Sequence, residues 1–500
     1  MNHLYSRTGT DKINQPIVLL LLLVSFLGLA VFIASKGMMA VFALLVLPFA
    51  ALFLISAFRN PVISFFTVYI VNFFALGAAR YVYEAPFGLG VDIFLVITYI
   101  ALFFKYFYTK IDWSLANKDV TYVALIWYGY IILEFFNPAV QSRQAWIYFM
   151  RTHLYMVLTV VLVFLLFNKN KYLSYFLYLW FAIEILGTLK ALGQLYIGLD
   201  PYERYWLDTF GRTTHLLFGE LRAFSFFSDA GQFGASQAHT GMVALIIGLT
   251  TSKHKERVFC LIAAFFCFWG MFLSGTRGVW GVLIGAFPLY LILIRNFKAL
   301  VVGIFLGAAV FGFFRYTYIG QGIYFINRMR TAFDPENASL KARLINQDKL
   351  RPYLATRPFG GGVGQAGAKA ARFSPNTFLA SIPTDSWYVE IWAEEGVVGL
   401  ALHLALLAYI IIKGSFIIMF RVKNKELRFR LTALLSGILG VCVSSYGNGV
   451  YGQMPTGLLV YTSMAFVFMG ADLDKEITEE KEAAASKELN DQKAFNEQFA

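Results

Sequence analysis

Run after run of about twenty apolar residues, parted by short polar connections, leaves this chain few ways to fold. A helix rising about 1.5 Å per residue needs about twenty residues to cross a hydrocarbon core about 30 Å thick. Backbone groups in hydrocarbon must find partners within the chain, which a helix provides and an open sheet does not. On that rule about fourteen spans are expected, near 17–34, 38–57, 62–78, 91–108, 120–136, 152–168, 172–196, 233–251, 258–274, 278–294, 299–318, 396–419, 431–447 and 455–471. Glu184 and Lys190 interrupt the seventh. Of the 500 residues, 58% are hydrophobic and 14% charged, against roughly 25% charged in a soluble domain. An all-α polytopic membrane protein follows. The run 17–34 lacks a small-residue cleavage pattern and reads as the first span rather than a signal peptide.

Lysines and arginines in short loops stay on the cytoplasmic side. Alternate connections carry Arg59; Lys105, Lys110 and Lys118; Lys169 and Lys171; Lys253, Lys255 and Arg257; Arg295 and Lys298; and Arg421 to Arg430. All share one side if the N-terminus, with Arg7 and Lys12, is cytoplasmic, and the C-terminus then lies there too. The net charge of +12 mostly reports this bias, so nucleic-acid binding is not inferred. Cys260, Cys267 and Cys442 lie in apolar stretches and suit packing rather than disulfides.

Two connections on the far side are long, 198–229 and 319–395, and long loops usually have a role. The second carries Arg328, Arg330, Lys341, Arg343, Lys349, Arg351, Arg357, Lys369 and Arg372. Loops of this length escape the positive-inside rule, so the basic excess points to an anionic ligand, a solvated surface or lipid headgroups. The chain divides into a membrane domain, 1–471, which includes loop 319–395, and a charged cytoplasmic tail, 472–500. Six histidines are scattered without metal-ligand spacing, so neither a metal nor a cofactor is expected.

Four stretches on the far side carry chemistry-bearing residues. Arg222 opens Arg-Ala-Phe-Ser-Phe-Phe-Ser-Asp just before a span; the plain alternative is an arginine snorkelling to the interface. Ser274-Gly-Thr-Arg277-Gly is a turn that can bring backbone N–H groups and a guanidinium to one ligand, or simply join two helices. Ser339-Leu-Lys-Ala-Arg343 precedes Arg357-Pro-Phe-Gly-Gly-Gly-Val-Gly364, a turn more than a phosphate loop. Asp385 and Glu394 lie before the twelfth span, with Trp387, Tyr388 and Trp392 placed to pack on acyl chains or stack on sugars.

In this order the four stretches resemble the O-antigen ligase and polymerase family of bacterial envelope glycosyltransferases. The resemblance covers roughly Arg222 to Leu407 and rests on Arg222, Ser274 to Gly278, Arg343 with Pro358 to Gly364, and Glu394 to Gly399. Asp385-Ser386 stands where many members carry His-Asn, and Phe227 to Gly231 replaces an Asn-rich run. The resemblance implies a GT-C-like bundle of about fourteen spans with one long periplasmic loop, in the bacterial inner membrane. It also implies an undecaprenyl-diphosphate-linked oligosaccharide donor. In that frame Arg222 and Arg277 would bind the diphosphate, Asp385 would take the acceptor's proton, and Arg343, Ser274, Trp387, Tyr388 and Glu394 would position substrate. A chain-length regulator is a possible partner. A repeat-unit polymerase is the first expectation, and an O-antigen ligase or protein O-oligosaccharyltransferase of the same family the second. A lipid-linked oligosaccharide flippase is a third, though the chain lacks two comparable halves.

Overall fold

The computed structural model describes residues 16–82, 87–217, 219–331 and 338–498; Arg7 and Lys12 lie outside them. In chain order the helices are α1 Pro16–Lys36, α2 Met38–Arg59, α3 Pro61–Ala78, α4 Gly88–Tyr106, α5 Asp119–Leu133, α6 Arg143–Leu166 and α7 Asn170–Tyr196. Then come α8 Pro201–Trp206, α9 Arg212–His215, α10 Ala230–Thr250, α11 His254–Leu273, α12 Trp280–Leu293, α13 Phe297–Tyr316, α14 Tyr324–Arg330 and α15 Ala338–Leu354. The last are α16 Gly367–Ala370, α17 Phe378–Ser381, α18 Trp387–Phe420, α19 Lys425–Ser444, α20 Thr456–Phe468 and α21 Gly470–Gln498. Strands β1 Leu216–Leu217 and β2 Glu220–Leu221 pair antiparallel.

The chain is an all-α polytopic membrane protein, and each expected span falls on a helix. Among the described residues nine helices are long and apolar enough to cross a membrane, or ten if α20 and α21, bent by 60°, count as one. Part of the difference from about fourteen has physical causes. Helix α10 holds Gln232, Ser236, Gln237, His239 and Thr240, all buried. It sits among α7, α11, α12 and α19, so no face of it has to suit lipid. Helices α12 and α20 are simply short.

Small residues set one close helix crossing. A Cβ on Gly281 would stand 2.7 Å from Ser444 Cα, and one on Gly285 3.0 Å from Gly440 Cα. This small-residue spacing lets α12 and α19 touch backbone to backbone. Inside the bundle the Glu184 carboxylate on α7 is paired, accepting from Ser236 Oγ at 2.6 Å and Gln237 Nε2 at 2.7 Å. At the periphery, α1 and α2 expose Leu20, Phe26, Leu45 and Phe49, a surface for lipid to cover.

The connections sort into two ends. At one, Lys118 pairs with Asp472, Arg430 with Glu256, and Asn170 N–H with Glu476. At the other, Arg80 donates to Ser225 O, Asn137 to Phe359 O, and Arg222 to Ser274 O. The long stretch 319–395 belongs to the second end and is folded there. Leu350 and Leu354 of α15 pack with Leu379, Ile382, Val389 and Ala393 as a small separate core.

Candidate active site

The site is built on the turn between α11 and α12. Helix α11 ends as Ser274 Oγ donates to Met271 O at 2.7 Å, and Gly275 turns the chain at φ 55°. Thr276 N–H then donates to Ser274 Oγ at 3.2 Å, and Arg277–Val279 form one 3₁₀ turn leading into α12. Arg222, just after β2, clamps this turn from the side. Its Nε donates to Ser274 O at 3.1 Å, one terminal nitrogen to Thr276 Oγ1 at 2.6 Å and the other to Thr214 O at 2.7 Å. Thr276 Oγ1 in turn donates to Ala230 O at 2.9 Å, at the start of α10. Arg222 and Arg277 are thus brought to one turn. Arg222 serves there chiefly as a brace, and Arg277 reaches the other way, to Thr331 Oγ1 at 3.3 Å.

Arg343, on α15, comes to the same place. One of its terminal nitrogens donates to Gly447 O at 2.7 Å. A Cβ on Gly447 would stand 3.5 Å from Gly278 Cα, the residue after Arg277. Ser444 Oγ donates to Gly278 O at 3.0 Å and closes the contact. The segment with Asp385 docks beside it: Trp387 N–H donates to Ser445 O at 3.0 Å, and Ser386 Oγ to the same oxygen at 3.4 Å. Three of the four stretches singled out in the sequence therefore meet around residues 444–448, a connection the sequence analysis passed over. Its Ser-Ser-Tyr-Gly-Asn-Gly-Val-Tyr-Gly run between two spans was the available signal.

Other expected site residues are placed differently. Asp385 is exposed, so the burial that would suit it to the role of base is absent. Trp387 is turned inward, its Nε1 donating to His403 Nε2 at 3.1 Å, and Tyr388 OH donates to Cys442 O at 2.7 Å. These rings fill the bundle and do not form an outer stacking face. Glu394 is buried and accepts from Gly364 N–H at 2.8 Å and Ala366 N–H at 3.1 Å. Lys369 Nζ lies 3.1 Å from it and also pairs with Glu390. Burial alone would lower the Lys369 pKa, but the two carboxylates outweigh it and hold the lysine above its ordinary value. Glu394 thus organises the glycine-rich turn, whose Gly361 and Gly362 N–H groups go to Ala393 O and Glu394 O. That turn cradles a helix end, not a phosphate.

An open cleft of about 780 Å³ lies at the same end of the bundle, lined by Tyr81, Tyr202, Tyr205, Trp206 and Phe210. Arg80 forms part of its wall, its guanidinium 4.6 Å from the Trp206 ring and 4.4 Å from the Phe224 ring. Ser228, also in the lining, is two residues from the start of α10, where Ala230 O meets Thr276. Aromatic faces of this kind suit the apolar faces of sugar rings.

His215 ties this loop to α10: its Nδ1 bonds Gly211 O at 3.0 Å, and its Nε2 accepts from Ala230 N–H at 3.1 Å. That arrangement needs the neutral ring protonated on Nδ1. Burial pushes its pKa below the ordinary 6.5, against the smaller opposing pull of Gly211 O. Below the unfolded value the unfolded chain binds more protons than the folded one, so His215's contribution is intact above that pH and fades as pH falls. Thermal unfolding of the purified chain should therefore show a loss of melting temperature between about pH 7 and pH 5 that His215→Phe lacks. Equal acid sensitivity in both chains would count against this role.

The family described as O-antigen ligase (Wzy_C) matches residues 262–404. The match takes in the Arg277 turn, α15 with Arg343, the glycine-rich turn and the start of α18, and bears out the resemblance read from the sequence. It leaves out Arg222 and residues 444–453. No curated protein matches the chain.

Proposed function

We propose that this protein is a glycosyltransferase at the outer face of a bacterial inner membrane, and that it polymerises lipid-diphosphate-linked oligosaccharide repeat units. The observation that carries the proposal is that Arg343 is held on Gly447 against Gly278 of the Arg277 turn, a turn braced by Arg222, at one end of a membrane bundle. The bias of short-loop lysines and arginines toward the opposite end supports a location of this end outside the cytoplasm. A guanidinium near lipid is costly unless paired, which makes these arginines candidates for an anionic partner.

The donor's lipid tail lies along the spans and its diphosphate enters the arginine site. The acceptor sugar's hydroxyl oxygen attacks the anomeric carbon of the donor glycan. The carbon–oxygen bond to the diphosphate breaks, and its electron pair leaves with the diphosphate oxygen. Arg277 and Arg343 offer charge-assisted hydrogen bonds to the oxygens on which this charge grows. The hydroxyl proton passes to water at the membrane face, since Asp385, the carboxylate expected for that step, is exposed and lacks the burial the role needs. The products are a longer glycan and a free lipid diphosphate. The bond energy is already in the donor, so no nucleotide is called for. The aromatic cleft offers a path for the glycan away from the reacting bond.

Transfer of finished glycan onto a lipid or protein acceptor uses the same geometry, and the name of the matched family favours that second reading. Deleting the gene and analysing lipid-linked intermediates separates the two. Accumulated single repeats support polymerisation, and accumulated full-length unattached polymer supports ligation. An unchanged set of intermediates would contradict both.

A further inference from the structure

The connection from α19 to α20 lies beyond the stretch that the family match covers. It is fixed at both ends. Ser445 Oγ donates to Val441 O at 2.7 Å and accepts from Tyr451 N–H at 3.1 Å. Gln453 Oε1 accepts from Gln232 Nε2 on α10 at 2.7 Å. Between these anchors the Asn448 amide is held against the Arg277 turn. Its Nδ2 stands 2.9 Å from where a Cβ on Gly278 would be and 3.5 Å from one on Gly231. Glycine at 278 is what lets the amide approach.

That nitrogen is buried and has no hydrogen-bond partner. Arg343 Nε is in the same condition, although another nitrogen of that guanidinium holds Gly447 O, the residue before Asn448. Buried donors are nearly always paired, and an unpaired one costs stability. Here one neutral and one charged donor are left open on the same contact, beside Arg277. An acceptor-rich ligand entering that contact would satisfy both.

We infer that Asn448 Nδ2 and Arg343 Nε bind phosphate oxygens of the lipid-linked diphosphate, which makes the α19–α20 connection a third arm of the anion site. The inference rests on the glycosyl-transfer reading and adds an arm that neither the family match nor that reading contains. A neutral amide suits the position because it adds a directed hydrogen bond without another desolvated charge. An oxygen acceptor in its place would repel the ligand.

The test uses the purified full chain in detergent, with farnesyl diphosphate, farnesyl monophosphate, farnesol and phosphatidylglycerol as probes, and reads the ligand-induced shift in melting temperature. The wild-type chain should bind farnesyl diphosphate in preference to the other three. Asn448→Ala should weaken that binding about tenfold and the near-isosteric Asn448→Asp more, with farnesol binding unchanged and the ligand-free melting temperature of Asn448→Ala no lower than that of the wild type. Asn448→Asp that folds as the wild type and binds farnesyl diphosphate as tightly would overturn the inference. So would equal binding of phosphatidylglycerol, which would make this a headgroup site. Loss of diphosphate binding in Arg277→Ala alone would leave the glycosyl-transfer reading standing without the Asn448 arm. A wild-type chain that cannot tell farnesyl diphosphate from farnesol would sink that reading itself.

Discussion

Arg277→Ala is expected to abolish long glycan chains while the protein still inserts at its normal level. Arg277 sits at the start of a one-turn helix and reaches Thr331 from there. The turn's shape depends on Ser274, Thr276 and the Arg222 clamp, all of which the substitution leaves in place. The loss therefore falls on charge stabilisation. Removing one donor aimed at developing negative charge costs about 2.7–4 kcal/mol, or roughly 10² to 10³ in rate. Arg277→Lys should recover only part of that, since an ammonium keeps the charge but not the planar fork. Glycan length in cells, read beside the amount of protein in the membrane fraction, checks this. Normal chain length in Arg277→Ala would remove the arginine from the mechanism.

Gly396→Ala is expected to undo the folded stretch 319–395 with a comparable loss of activity. Helix α18 breaks at Gly396, whose φ of 71° and ψ of −169° fall in a region essentially reserved for glycine. A Cβ there would run into Pro358 O and Gly360 N. Strain at such a position costs on the order of 1–3 kcal/mol before any collision is counted. The break is also where the glycine-rich turn docks. Val398 N–H donates to Pro358 O at 3.2 Å, Gly362 N–H to Glu394 O at 2.7 Å, and Tyr130 OH to Glu395 O at 2.9 Å. The variant should keep its helices in the membrane but expose 357–395 to added protease and lose glycan transfer. A protected loop with normal transfer would show that the docking is dispensable.

What the sequence revealed, and what it did not, follows from the range of each signal. Apolar runs and turn residues are local, so every span was legible as a helix and the Ser274–Gly278 turn could be placed between two of them. The order of Arg222, Arg277 and Arg343 was also legible, because each stands in a recognisable short motif. Helix α10 was legible as apolar but not as central: its Gln237 and Thr240 make sense only once Glu184 and Trp180 of α7 are beside them. The roles of Glu394, Trp387 and Tyr388 depend on partners far along the chain or across the bundle, such as Gly364, His403 and Cys442. A carboxylate or an indole ahead of a span reads the same whether it faces a substrate or a neighbouring helix. The connection with Gly447 and Asn448 was not legible because it carries no charged residue to mark it as a site.

The most direct test gives the purified chain, in detergent, lipid-linked repeat units extracted from cells that lack it. The account predicts that the wild-type chain lengthens the glycan, releasing one lipid diphosphate for each bond formed, and that Arg277→Ala does neither. Equal rates in the two chains would contradict it, as would a wild-type chain that forms no bond in detergent yet moves the lipid across the wall of a sealed vesicle.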